Sequence, residues 1–208
     1  MKRALIVYGG WKGHDPKGLA ALFKKVLEEE NFEVVLSEKL SVFAKLNLNE
    51  FNLIVPVWTM GDIKDKEVKA VISAIEGGVG LAGCHGGMCD AFRNNTEWQF
   101  LTGSQFVAHP GGGGVEYLVN ITKTKHQITE EMKDFKVKTE QYYLHTDPVN
   151  EVLAGTKIGE IDMPVVYTRA FGKGKIFYNA LGHNAKVFED FPESLELMRR
   201  GFIWAARG

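Results

Sequence analysis

The sequence predicts an α/β fold, a mainly parallel sheet with helices on both faces and an added antiparallel segment. Three observations predict it. Short apolar runs alternate with helical periodicity through the first half, the rhythm of βαβ units. Those runs are apolar at almost every position and close on glycine, as doubly buried strands do. Beyond about residue 103 the periodicity shortens to alternating runs broken by glycine, the pattern of antiparallel strands.

The elements follow in order. Residues 4–8 form an apolar run that stops at Gly9-Gly10. Asp15-Pro16 opens a helix, with aspartate as N-cap and proline at the first helical position. Leu19, Leu22, Phe23, Val26 and Leu27 fall on one face of it, and Asn31 is its stop. Residues 32–36 and 53–58 read as the second and third strands. Asp65–Glu76 is a helix with Val68, Val71, Ile72 and Ile75 inward, ended by Gly77-Gly78. Residues 79–84 are a small, apolar fourth strand. Val115–Ile121 and residues 136–143 are expected as antiparallel strands at the sheet edge. Residues 165–170 and 175–181 flank Phe171-Gly172-Lys173-Gly174, a hairpin signal. Residues 192–206 close the chain as a helix with Leu195, Met198, Phe202, Ile203 and Ala206 inward. With no repeat and no linker, residues 1–208 read as a single domain.

Composition narrows the function. The 208 residues carry 25 lysines and arginines against 26 aspartates and glutamates, a formal charge of −1. That balance argues against a partner such as nucleic acid or an anionic membrane. The 45% hydrophobic content excludes disorder. The first apolar run is too short for a signal-peptide core or a membrane span. Cys84 and Cys89 form neither a CxxC motif nor a disulfide framework, so a reduced, cytoplasmic protein is expected. Oligomeric state is left open, dimers being the commonest assembly.

Ligands of open α/β sheets bind beyond the carboxyl ends of the strands. Four such ends carry glycine, and three of them carry histidine. They are Gly9-Gly10-Trp11-Lys12-Gly13-His14, Thr59-Met60-Gly61-Asp62, His85-Gly86-Gly87 and Gly182-His183. His109 and His145 lie beside further turns. Ala82-Gly83-Cys84-His85-Gly86 reads as a strained elbow presenting Cys84, a thiolate that a helix N-terminus or a histidine would activate; the plainer reading is a small buried cysteine. Glu140 is the foremost acid, in Thr139-Glu140-Gln141-Tyr142-Tyr143-Leu144-His145. In a strand it shares a face with Tyr142.

Together these segments resemble the ThuA-like (trehalose-utilisation) family of the class I glutamine amidotransferase-like superfamily. The resemblance also takes in Gln105-Phe106-Val107-Ala108-His109-Pro110, Pro164-Val165-Val166-Tyr167 and Gly172-Lys173-Gly174-Lys175-Ile176-Phe177-Tyr178. It covers nearly the whole chain and implies a flavodoxin-like sheet with an added antiparallel segment. It implies carbohydrate metabolism, with a reaction poorly defined. Glutamine amidotransferases pair cysteine with His-x-Glu, which this chain lacks; the nearest motif is His145-Thr146-Asp147, so glutaminase activity is not expected. Members of the family carry histidine at the position of His85 without needing the cysteine, which shifts weight from Cys84 to His85.

The resulting expectation is an enzyme, such as a hydrolase or isomerase, acting on a sugar, disaccharide or keto-sugar derivative. Its catalytic candidates are His85, Glu140, His183 and Cys84. Gly10, Trp11, His14, Trp58, His109, Tyr142 and His145 are the candidate ligand contacts. A metal-assisted version places a divalent ion such as zinc on His85, His109 and His145. Two other readings stand beside it: a non-catalytic metabolite-binding or regulatory module, and a Cys84-dependent hydrolase. The expected partner is a small, neutral, sugar-like molecule.

Overall fold

The structure is a computed structural model describing residues 1–208. Its strands are β1 (Lys2–Gly10), β2 (Phe32–Ser37), β3 (Leu53–Thr59), β4 (Gly80–Cys84), β5 (Ser104–Ala108), β6 (Val115–Ile121), β7 (Phe135–Thr139), β8 (Tyr143–Thr146), β9 (Glu151–Ile158), β10 (Ile161–Phe171) and β11 (Gly174–Asn179). The helices are α1 (Pro16–Glu29), α2 (Val42–Lys45), α3 (Asp65–Glu76), α4 (Gly86–Cys89), α5 (Thr96–Thr102), α6 (Ala185–Asp190) and α7 (Pro192–Ala205).

Nine strands form one sheet in the order β2-β1-β3-β4-β11-β10-β9-β6-β7. The first five are parallel and give the flavodoxin-like order, with β11 as the fifth strand. From β10 outward every pairing is antiparallel, so the expected added segment continues the main sheet. A separate two-stranded ribbon, β5 with β8, stands apart from it.

The core explains the order. Ala4, Leu5, Ile6 and Val7 of β1 are fully buried, as a central strand covered on both faces must be. Each large aliphatic side chain so buried contributes about 1.5–3 kcal/mol. The chain moves one way from β1 through α1 to β2 and the other way from β3 through α3 to β4. Right-handed crossovers in opposite directions place α1 and α3 on opposite faces. The reversal also opens a crevice between the ends of β1 and β3. Register aligns the tips there, with Gly10 opposite Thr59 and, further along, Cys84 opposite Asn179.

Three expectations change. The run at 136–143 is two strands, because β7 ends at Thr139 and β8 starts at Tyr143; Glu140 lies in the irregular link. Strand β9 carries glycine and polar residues, and apolarity alone did not mark it. The inward face of α7 is Ser194, Leu197, Met198, Gly201, Phe202 and Ala205, while Ile203 is exposed. Small residues form the closest approach: a Cβ at Gly201 would stand 2.3 Å from the Phe177 ring of β11. No helix is long and apolar enough to cross a membrane.

Gly201→Ala is therefore expected to destabilise the protein by about 1–3 kcal/mol through overpacking. Urea unfolding at constant m-value measures it.

Candidate active site

Four side chains from separate segments converge at the carboxyl edge of the sheet. His14 follows β1, His85 follows β4, His183 follows β11, and Glu140 comes from the link between β7 and β8. Their potential ligand atoms all lie within 4.8 Å of one another.

His85 is the most constrained. It joins β4 to α4 with φ 46° and ψ −137°, a conformation that costs a non-glycine residue about 1–3 kcal/mol. Such a strand–turn–helix elbow lifts one side chain above the sheet. The pattern that permits it is Gly83-x-His85-x-Gly87, one residue on from the expected register. A Cβ on Gly83 would press on Met88 at 2.9 Å, and one on Gly87 on the Val57 backbone at 3.1 Å. The last residue of β11 and the residue after it then hold His85 twice. Its backbone N–H donates to the Asn179 carbonyl at 2.7 Å. Its ring Nδ1 lies 2.7 Å from the Ala180 carbonyl oxygen. A carbonyl only accepts, so Nδ1 carries the proton and Nε2 faces the cluster. Tyr142 stacks on the same ring at 3.8 Å between centroids.

Glu140 is fixed through its neighbours. The Tyr117 hydroxyl donates to the Glu140 carbonyl at 3.1 Å. Gln141 Nε2 donates to Thr156 Oγ1 and to the Lys157 carbonyl, both at 3.0 Å. The carboxylate oxygen Oε2 thereby stands 3.1 Å from His85 Nε2 and 3.3 Å from His183 Nδ1. His183 Nδ1 is buried and makes no hydrogen bond of acceptable geometry. His14 Nδ1 is 2.9 Å from Thr59 Oγ1 at the crevice between β1 and β3. The His14 ring fits only because residue 86 is glycine; a Cβ there would be 2.6 Å from it.

Burial keeps the inner imidazoles neutral. It is the main cause that pushes His14 down to about 3, with help from the neighbouring His85 and His183. Burial also lowers His85, against the opposing contact with Glu140. For Glu140, burial works upward, but the contacts with His183 and His85 outweigh it and hold the carboxyl well below its usual range. His14 and His85 thus face the Glu140 carboxylate as nitrogen bases. The cluster opens to solvent through His183, 24% exposed, and Glu140, 12% exposed. Gly113, Gly114, Lys138, Lys186 and Asp190 line that mouth, a pocket of about 210 Å³.

The remaining candidates divide. Trp11 is 47% exposed and sets its ring edge-on to His14, so it borders the site. Tyr142 is buried beneath His85, so it supports the imidazole and offers no face to a ligand. Gly10 and Trp58 line a different pocket of about 520 Å³, with Tyr8, Lys12 and Glu38. His109 and His145 are exposed and outside the cluster, so the expected His85–His109–His145 donor set does not form. His145 sits on β8 opposite Gln105 of the ribbon, and His109 stacks on Phe106. Sequence reasoning missed Thr59, Tyr117, Gln141 and Ala180 as positioning groups. Thr59 was visible only as the polar residue ending a buried strand, and Ala180 acts through its backbone, which leaves no sequence signal.

Cys84 lies beneath the elbow rather than at its apex. It is 1% exposed, and burial pushes its thiol far up. Cys89 is pushed up to about 12, chiefly by burial, and contacts Ser104 Oγ at 2.7 Å. A nucleophile needs an accessible thiolate, and neither residue supplies one. Both thiols are expected to resist a disulfide-exchange reagent in the native protein at pH 8 and to react fully in denaturant; rapid native labelling of Cys84 would restore the hydrolase reading.

The comparisons agree with this fold. No curated protein matches the sequence. Among solved structures, a ThuA-like protein from Bacteroides uniformis superposes with a TM-score of 0.81 at 20% identity, over 98% of this chain and 91% of that one. A ThuA-like protein from Parabacteroides merdae gives 0.80 at 18% identity, over 98% and 89%. A β-galactosidase from Bacillus circulans gives 0.63 at 14% identity, over 99% of this chain but 31% of its own. At these identities the likenesses establish the fold alone. The family model described as ThuA, trehalose utilisation, matches residues 3–205, and the chain belongs to that family.

Proposed function

We propose that this chain is an enzyme of carbohydrate metabolism that acts on a sugar, disaccharide or keto-sugar derivative by proton transfer among His85, His183 and Glu140. The convergence of three imidazoles and one carboxylate around the strained elbow at His85 carries the reading. Backbone strain maintained against its cost is a mark of functional sites. The family's link to trehalose utilisation supports a sugar-class substrate.

The residue types favour one kind of sugar chemistry. Most glycosidases use two carboxylates about 5–9.5 Å apart. This cluster holds one carboxylate, and its other members are nitrogen bases. That set suits proton abstraction and return beside a carbonyl, so a keto-sugar derivative is the preferred substrate. His183 and Glu140, at the open side, would exchange protons with it. His85 would act as a fixed partner through Nε2. Trp11 would lay an apolar face against the sugar ring. A near-neutral chain fits a neutral ligand.

The test follows trehalose and oxidised keto-disaccharides by NMR with the native protein and with Glu140→Gln and His183→Ala. Turnover by the native protein is expected, with losses of about 10²–10⁴-fold in each variant. Full-rate variants would contradict the assignment. So would a sugar that raises the melting temperature yet is recovered unchanged, the behaviour of a binding module.

A further inference from the structure

We propose that His14, His85, Glu140 and His183 form a binding site for one divalent transition-metal ion of the zinc class. The site is shared with the sugar-directed reading, but the inference stands on donor geometry and not on any substrate.

The first observation is a convergence of donors. The Ala180 carbonyl holds a proton of His85 on Nδ1 and so turns Nε2 toward the cluster. What it meets, 3.1 Å away, is a carboxylate oxygen. His183 Nδ1 faces the same oxygen at 3.3 Å, buried and without a hydrogen bond. The three imidazoles crowd around that carboxylate, with ring centroids 4.8 to 5.6 Å apart. A single divalent ion would meet all four side chains at once and give the unpartnered nitrogen its partner.

The second observation is spacing. Donors bound tetrahedrally to zinc at about 2.0–2.1 Å stand about 3.3 Å from one another. The His85–Glu140 and His183–Glu140 separations are 3.1 and 3.3 Å. The donor chemistry agrees, since imidazole and carboxylate together suit zinc and its neighbours rather than magnesium or calcium.

The third is the surrounding support. A ligating histidine normally donates its other ring N–H to a carbonyl, carboxylate or similar acceptor. His85 does so to Ala180, and Thr59 occupies the matching place beside Nδ1 of His14. That leaves Nε2 of both rings for the ion. The open side at His183 and Glu140 gives it an entry path and a side on which four-coordination could expand to five. An ion held there would polarise a sugar carbonyl or a bound water.

The test uses the full chain without a histidine tag, stripped with chelator and dialysed. Zinc alone is added and its affinity measured by competition with a chromophoric chelator. Binding at one ion per chain is expected, and Co²⁺ in place of zinc should show the ligand-field spectrum of mixed nitrogen and oxygen donors. Glu140→Gln and His183→Ala, checked for native circular dichroism, should weaken zinc at least about 100-fold, beyond what loss of a supporting hydrogen bond costs. His109→Ala and His145→Ala should bind as the native chain does. No stoichiometric binding, or equal affinity in Glu140→Gln and His183→Ala, overturns the proposal. Zinc binding without any sugar turnover sustains the metal site and removes the sugar-directed reading. Turnover by metal-free protein together with no stoichiometric zinc binding does the reverse.

Discussion

The site depends on the hydrogen bond from His85 Nδ1 to the Ala180 carbonyl. At 2.7 Å and fully buried, it sets which nitrogen carries the proton and where the other points. The elbow at φ 46° brings the ring above β4, and the parallel pairing of β4 with β11 brings the carbonyl to meet it. The backbone bond to Asn179 locks the same two segments together. With two hydrogen bonds and a stacked Tyr142 on one residue, the cost of its dihedral angles is offset by the contacts this conformation makes.

A flavodoxin-like sheet makes such a cluster natural. Strand tips of β1, β4 and β11 end on the same edge, so the residue after each lands within reach of the others. The antiparallel extension adds the missing carboxylate. β6, β7 and β9 together carry the link holding Glu140 back over that edge, through Tyr117 and Gln141. Glycine makes the convergence sterically possible. Without a Cβ at Gly86 the His14 ring can lie against the elbow, and Gly182 at φ 103° lets the chain leave β11 beside Phe188.

Much of this was legible in the sequence, for identifiable reasons. The βαβ half was readable because each strand is apolar throughout and each helix carries caps and a stripe. Three of the four cluster histidines and acids were marked as catalytic because they follow a buried strand or stand out in a polar, aromatic run. His14 was marked only as a ligand contact, since nothing local reveals that Thr59 turns its ring inward. The elbow was found one residue out of register, because cysteine is the more familiar nucleophile while the two flanking glycines in fact frame His85. His109 and His145 stand beside turns that look like the others in sequence, but they belong to the ribbon and its loop. Apolarity likewise misplaced the inward face of α7, where Ser194 and Gly201 make the contact that bulkier residues would prevent.

The most direct measurement of this account is the protonation pattern of His85 by long-range ¹H–¹⁵N correlation in ¹⁵N-labelled, metal-free protein at neutral pH, with His85→Gln as the assignment control. The account predicts a proton on Nδ1 and a bare Nε2. A ring whose only proton is on Nε2, with Nδ1 bare, would contradict it, because the Ala180 carbonyl could then hold nothing and the cluster would have no fixed base facing Glu140.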